Sequence, residues 1–317
     1  MTRQQTSMEQ DQTFSWFLRA ARQGDPYAQF NLGMLYKNGN GVQRDDVAAL
    51  AWLRRAAEQG LAFAQNHLGA MLYSGRARSG DPRRDDAEAA YWLARAAEQG
   101  DASAQQNLGL LHDQGRGVAR DSEAALGWFY RAAEQGVASA QTLLAECYLY
   151  GRGVDINYPL AAAWLRKAAE QGDAPAQFNL GVMHAAGQGV AANPAQAARW
   201  YAMAAAQGDA SAQNNLGVLY AGGDGVPHDD ALAVHWYRAA ADQGHALAQY
   251  NLSGMLASGR GGAHDPVRAH MWMLIAAGSG DAAARASVGA TARRLSRGQQ
   301  ASAEELARTW QRARRRA

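Results

Sequence analysis

Of the usual external staples this sequence has almost none. It holds a single cysteine, Cys147, among 317 residues. That excludes an internal disulfide and a multi-thiolate metal site, and it leaves Cys147 to be read as a small buried hydrophobe. No apolar run approaches the roughly 18 residues that a membrane-spanning helix needs. No segment alternates apolar and polar residues with period two, so no strands are expected. The first residues, MTRQQTSMEQDQ, lack the apolar core of a secretory signal, and the expected compartment is the cytoplasm. Charge of one sign is missing too, with 31 Lys and Arg against 29 Asp and Glu. The 48% hydrophobic content argues against disorder. The chain must therefore hold itself together by packing.

Tryptophan, by contrast, is abundant and evenly placed. Trp16, Trp52, Trp92, Trp128, Trp164, Trp200, Trp236 and Trp272 follow one another at 36 residues, with one interval of 40. A period of this length marks stacked supersecondary units rather than two ordinary domains. Aligned on Trp, the units are 25–60, 61–100, 101–136, 137–172, 173–208, 209–244 and 245–280. A half unit, 1–24, precedes them as an amino-terminal cap, and 281–317 follows as a helical cap with a basic tail.

Each unit reads as two helices. The first runs from A-x-A-Q to Leu-Gly, as in Ala28-Gln29-Phe30-Asn31-Leu32-Gly33, with helix-favouring residues and apolar spacing near 3.6. It stops at a G-x-G turn such as Gly115 and Gly117, where glycine tolerates a left-handed backbone. Asp45, Asp85, Asp121, Asn157, Asn193, Asp229 and Asp265 stand in one register as N-caps of the second helix, and Pro194 and Pro266 directly follow theirs. The second helix carries the Trp, then an Ala pair such as Ala132-Ala133, and closes at Gln-Gly. The Trp column, the Leu-Gly column and the Ala pairs are expected to form the core. The buried glutamine column Gln29, Gln65, Gln105, Gln141, Gln177, Gln213 and Gln249 suits hydrogen bonding between repeats.

This pattern, A-x-A-Q-x-x-L-G-x-x-Y-x-x-G-x-G-V-x-x-D-x-x-x-A-x-x-W-x-x-x-A-A-E-Q-G over residues 14–280, resembles the Sel-one-like (Sel1-like) repeat, a relative of the tetratricopeptide repeat. The resemblance implies an all-α fold, a right-handed α-solenoid whose first helices line the concave face. It also implies an adaptor or scaffold that binds a peptide or partner protein there, with no cofactor. The aromatic of the pattern, present as Tyr36, Tyr148 and Tyr220, is replaced by Leu72, His112, His184 and Leu256, so packing should differ locally. The cysteine-rich secreted branch of the family is disfavoured because the paired cysteines are missing.

Binding residues are sought on first-helix positions that the core leaves free. The residue before Leu-Gly is Asn31, His67, Asn107, Leu143, Asn179, Asn215 or Asn251. By analogy with tetratricopeptide units it points to the groove, where spaced amides can grip a peptide backbone. The alternative is that these asparagines satisfy neighbouring backbone, and the sequence leaves both open. Tyr27, Phe30, Met34, Phe63, Tyr73, Glu146, Tyr150, Phe178 and Tyr250 occupy predicted groove positions as apolar anchors and specificity elements.

Other features point less clearly. The second unit carries four extra residues, read as a loop over 75–84. From Asp281 to Ala317 nine Arg face Asp281, Glu304 and Glu305, a segment charge of +6 that leaves −4 for residues 1–280. Helices are expected there through 288–295 and from about Ser302 through Trp310. Clustered arginine attracts phosphate, but no aromatic-interleaved motif supports nucleic acid, and arginine outnumbers lysine throughout. The eight histidines show no metal-ligand spacing, and the G-x-G pairs lack the strand that a nucleotide site requires. The resemblance leaves one enzymatic alternative, binding or hydrolysis of β-lactam or cell-wall fragments, which serines such as Ser103, Ser139 and Ser211 do not support with any assigned base. Catalytic and metal-binding residues are therefore expected to be absent.

Overall fold

The computed structural model describes residues 3–75 and 81–314, and among them there are seventeen helices and no strand. In chain order these are α1 (Arg3–Arg22), α2 (Pro26–Asn38), α3 (Asp46–Glu58), α4 (Ala62–Tyr73), α5 (Pro82–Glu98), α6 (Ala102–Gln114), α7 (Ser122–Glu134), α8 (Ala138–Tyr150), α9 (Tyr158–Glu170), α10 (Ala174–Ala186), α11 (Pro194–Ala206), α12 (Ala210–Gly222), α13 (Asp230–Asp242), α14 (Ala246–Ser258), α15 (Pro266–Gly278), α16 (Ala282–Ala292) and α17 (Arg297–Arg314). They form two compact units, residues 1–157 and 158–317, each an array of helical hairpins.

Helix starts follow the acidic caps, with one correction. The side chains of Asp45, Asp121, Asn193, Asp229 and Asp265 accept from backbone N–H groups in the first turn of their helices. Asp85 does not. α5 starts one turn earlier, where Asp81 accepts from Arg83 N–H and Pro82 fills the first helical position, so Asp85 lies buried inside the helix. The expected loop over 75–84 is therefore shorter at its carboxy-terminal side, and its residues 76–80 lie outside the described residues. First helices have their own caps: Asp25, Asp101, Asp173, Asp209 and Asp281, and His245 through Nδ1.

The tryptophan column belongs to the core in only four of the units. Trp92, Trp164, Trp200 and Trp272 are 6–8% exposed, but Trp52, Trp128 and Trp236 are half-buried and Trp16 is 59% exposed. The indole lies along the flank of the second helix with a cation stacked on it, as with Arg55 over Trp52 and Arg131 over Trp128, both 4.5 Å from the ring centroid. The residue after Trp takes the centre instead. Leu53, Leu93, Phe129, Tyr201 and Tyr237 are buried against Gly33, Gly69, Gly109, Gly181 and Gly217 of the preceding helix. A Cβ on any of these glycines would stand within 2.6–2.8 Å of the facing side chain. The Leu-Gly glycine is thus a seat for a knob.

A ladder of amides fixes the height at which helices meet. Each first-helix glutamine donates through Nε2 to the carbonyl eight residues back, Gln29 to Ala21, Gln105 to Ala97 and Gln177 to Ala169, all at 3.1 Å. Its Oε1 accepts from the glutamine that closes the following helix: Gln59 to Gln29, Gln99 to Gln65, Gln135 to Gln105, Gln207 to Gln177 and Gln243 to Gln213. Leaving such a buried amide unpaired costs about 1–3 kcal/mol. Gln249 Oε1 has no partner because Ser279 stands where the closing glutamine would be.

Successive hairpins touch at bare backbone. The second glycine of these G-x-G turns has φ near +70° and lies against the preceding second helix: Gly153 on Ser122, Gly189 on Tyr158, Gly225 on Pro194 and Gly261 on Asp230, all at the first helical residue, and Gly117 on Asp86, one turn into α5. Any Cβ there would overlap main-chain atoms. At the carboxy-terminal end the two helices span 282–292 and 297–314. Both start earlier in the chain than expected, because Asp281 caps the first and Ser296 caps the second, its hydroxyl accepting from Gln299 N–H.

Candidate binding surface

On each first helix one stripe faces away from the core, at the spacing 27, 31, 34 and 38 in α2 and its equivalents elsewhere. In the first unit the stripe begins with an aromatic on both α2 and α4. Tyr27 is 58% exposed and Phe63 42%, with ring centroids 6.2 Å apart. Phe30 stacks edge-on against Phe63 at 5.4 Å and lies 5.5 Å from the His67 ring. Asn31 and Met34 border the group, both half-buried. Tyr27, Phe30 and Phe63 therefore form one platform across α2 and α4.

Other expected anchors are held within the protein. Tyr73 lies under the Arg116 guanidinium at 4.2 Å, and its hydroxyl donates to Gln114 Oε1 at 3.0 Å. Arg116 binds Asp86 through two hydrogen bonds and also donates to the Tyr73 carbonyl. In the second unit Phe178 packs towards Tyr201 at 6.0 Å, and Tyr250 packs against Met273 and Ala276. Both are half-buried and present edges only.

The asparagines divide. Asn31 donates to the Tyr27 carbonyl, Asn107 to Asn66 Oδ1 at 3.3 Å and Asn251 to Asn214 Oδ1 at 3.0 Å. Asn215 accepts from Asn214 and hydrogen-bonds Tyr201. Asn179 alone of the named asparagines keeps its whole amide without an internal partner among the described residues. Half-buried beside Phe178, it is a donor and an acceptor held in place by its helix.

Sequence reasoning missed the arginines of the turns. Arg116 and Arg260 each bind, in bidentate fashion, a carboxylate thirty residues earlier, Asp86 and Asp230. Arg152 finds Ser122 at the corresponding position and turns to Asp113 and Glu146 instead. A carboxylate thirty residues before a G-R-G was the available signal. Burial raises the Cys147 thiol to about 11, so it stays protonated and non-nucleophilic near neutral pH. Ser139 donates to Gln106, not to a histidine. Among the described residues no group of three metal-ligating side chains comes together, and no helix is long and apolar enough to cross a membrane.

The Sel1 repeat family model matches eight consecutive segments, 10–25, 26–61, 62–101, 102–137, 138–173, 174–209, 210–245 and 246–281. This chain is a Sel1 repeat protein. Its fold is similar to c5321, a protective antigen of uropathogenic Escherichia coli with an SLR fold, at 36% identity and a TM-score of 0.81. That match covers 94% of this Sel1 repeat chain but 64% of c5321, so the chain spans under two thirds of that relative. A Sel1 repeat protein from Oxalobacter formigenes matches at 36% identity and a TM-score of 0.71, covering 87% of this chain and 79% of the other. No curated protein matches significantly. Sel1 repeats are generally protein-interaction scaffolds.

Within the repeat register His67 stands where most units have asparagine. Burial, with Lys37 Nζ 3.5 Å from Nδ1, holds its imidazole below the ordinary value of 6.5, against an opposing pull from Asp101. The folded protein therefore binds this proton less readily than the unfolded chain. The His67 contribution to stability is complete above 6.5 and is lost as pH falls below it. Unfolding midpoints in urea measured from about pH 7 to about pH 5 should fall less steeply for His67→Asn than for wild type. Slopes that coincide contradict this account; His245 and His270, also depressed by burial, supply the slope that remains.

Proposed function

We propose that this Sel1 repeat protein is an adaptor whose first-helix face binds an extended segment of a partner protein. The observation that carries this reading is the Tyr27, Phe30 and Phe63 platform, two of whose rings are 42–58% exposed although Leu32, Leu68, Met71 and Leu72 of the same helices are buried. Clustered aromatics of this kind favour an apolar side chain of the ligand, at low entropic cost to the protein. Asn31 and Met34 border that contact. In the second unit Asn179 offers its free amide to a peptide backbone and Asn251 its oxygen as an acceptor, Asn215 being held by Asn214 and Tyr201; in the first unit Asn107 keeps its oxygen as an acceptor. Phe178 and Tyr250 contribute edges to the first-helix face of the second unit, and Tyr73 to that of the first.

Panning a random peptide library on the purified protein tests this. Enriched peptides should lose at least about tenfold in affinity to the Tyr27→Ala/Phe63→Ala variant, which removes two exposed rings. Asn179→Ala should weaken them by a smaller factor. Peptides that bind both variants as tightly as wild type would place the binding surface elsewhere.

A further inference from the structure

One rung of the amide ladder lacks its closing glutamine, and it lies on a recess. Gln59, Gln99, Gln135, Gln207 and Gln243 each donate to the Oε1 of the ladder glutamine before them. Three of them, Gln59, Gln135 and Gln207, donate through the same Nε2 to the carbonyls of Gly24, Gly100 and Gly172. One NH2 group thus serves two acceptors. The hairpin of α14 and α15 has Ser279 at the closing position, and Gln249 Oε1 has no partner among the described residues although Gln249 is fully buried. The Gly244 carbonyl stands where those of Gly24, Gly100 and Gly172 receive their second bond.

The place that a closing side chain would take is a recess of about 430 Å3 lined by Gly244, Ser279, Trp310, Gln311 and Arg314. α17 supplies one wall of it without completing the rung. Arg314 lies against Gly244, donates to the Gln243 carbonyl and stacks over Trp310, 5.4 Å from the ring centroid. Gln311 is exposed and brings its Nε2 to the helix end at Gly278, not to Gln249. Trp310 is itself fixed by Trp272, 5.5 Å away.

Two acceptors at one place call for a nitrogen with at least two donors, which a primary carboxamide, a guanidinium and an ammonium each possess. Arg314 decides among the three. Its charge in the wall opposes a cation, while its N–H groups and the Gln311 amide offer donors to a carbonyl oxygen.

We propose that this recess binds a primary carboxamide, the side-chain group of glutamine or asparagine. Its NH2 takes the two bonds of the missing closing glutamine, to Gln249 Oε1 and the Gly244 carbonyl. Its oxygen accepts from Gln311 or Arg314, and its hydrocarbon stem lies along the Trp310 ring. Arg314 and Gln311, both exposed, turn aside to admit it. The group comes either from free glutamine or from a glutamine in an exposed segment of a partner protein. Neither source involves the Tyr27 platform.

Chemical-shift titration of the full chain, followed at the Gln249 side-chain amide and the Trp310 indole N–H, tests the proposal. L-Glutamine is the probe in one arm and acetyl-Gly-Gln-Gly N-methylamide in the other. A shift that saturates with either probe supports the proposal, and the probe that saturates at the lower concentration names the source. Glutamate and the corresponding Glu peptide have the same shape with no NH2 to donate, and should leave both signals unmoved. Ser279→Gln restores the residue that the six other units carry and should abolish the response to both probes. The proposal is overturned if neither probe moves the signals at its solubility limit, if the glutamate probes move them equally, or if Ser279→Gln responds like wild type.

Discussion

Gly117→Ala should destabilise the first unit by at least about 4 kcal/mol, with a matching fall in its urea midpoint. Two penalties combine. The residue sits at φ +68°, where an L side chain costs about 1 kcal/mol. Its Cβ would also overlap the Asp86 carbonyl, which lies one turn inside α5 and cannot move aside without shifting that helix. Gly136→Ala separates the two. Gly136 has φ +89° with nothing within 4 Å of its Cβ position, so that variant should lose only about 1 kcal/mol. Equal losses in the two variants would mean that the turns tolerate a wider spacing between hairpins and that the backbone contact is not what holds them.

Phe129→Ala should be the other large loss, about 4 kcal/mol, while Trp128→Ala next to it should lose roughly half as much. Phe129 is fully buried over Gly109, and truncating it removes the contact and leaves a cavity lined by two helices. Trp128 is half-buried on the helix flank with Arg131 stacked on its exposed side. Much of its ring is already in water, so truncation recovers less. Thermal and urea unfolding of the two variants decide the order. A larger loss from Trp128→Ala would put Trp128 in the core with its buried counterparts.

Much of this fold could be read from periodicity, since a local signal repeated seven times averages out accident. The helix pairs, the glycine turns and the structural glutamine column all follow from residues that recur in register. The knob column escaped because it has no fixed identity: Leu53, Phe129 and Tyr237 share a position but not a residue type. The packing demand there is for volume over a glycine, and several side chains meet it. Tryptophan misled for the converse reason. It is uniform in type, yet its environment varies along the chain from Trp16 to Trp272. Asp85 misled because register was counted backwards from Trp92, across a segment where α5 had gained a turn.

On the candidate surface the sequence identified the positions but not the competition for them. Tyr27, Phe30 and Phe63 come together as rings. Tyr73 is taken by Arg116, and no pattern local to Tyr73 announces an arginine 43 residues later. The amides of Asn107 and Asn251 are partly used by Asn66 and Asn214 of the preceding first helix, which depends on which residue happens to follow the ladder glutamine there. These are long-range choices between alternatives of similar energy, and spacing alone does not rank them.

The amide ladder also bears on how such a chain misfolds. Because Gln105, Gln177 and Gln213 meet the same kind of carbonyl and the same kind of closing glutamine, their repeats could exchange neighbours with these ladder glutamines still satisfied. The ladder therefore fixes the level at which two helices dock but carries no information about which two. Order along the stack comes from the tether alone, whose few turn residues are too short to skip a neighbour. Lengthening one G-x-G turn by a dozen residues would remove that protection, and out-of-sequence stacking would then compete with the native order at no cost to the ladder.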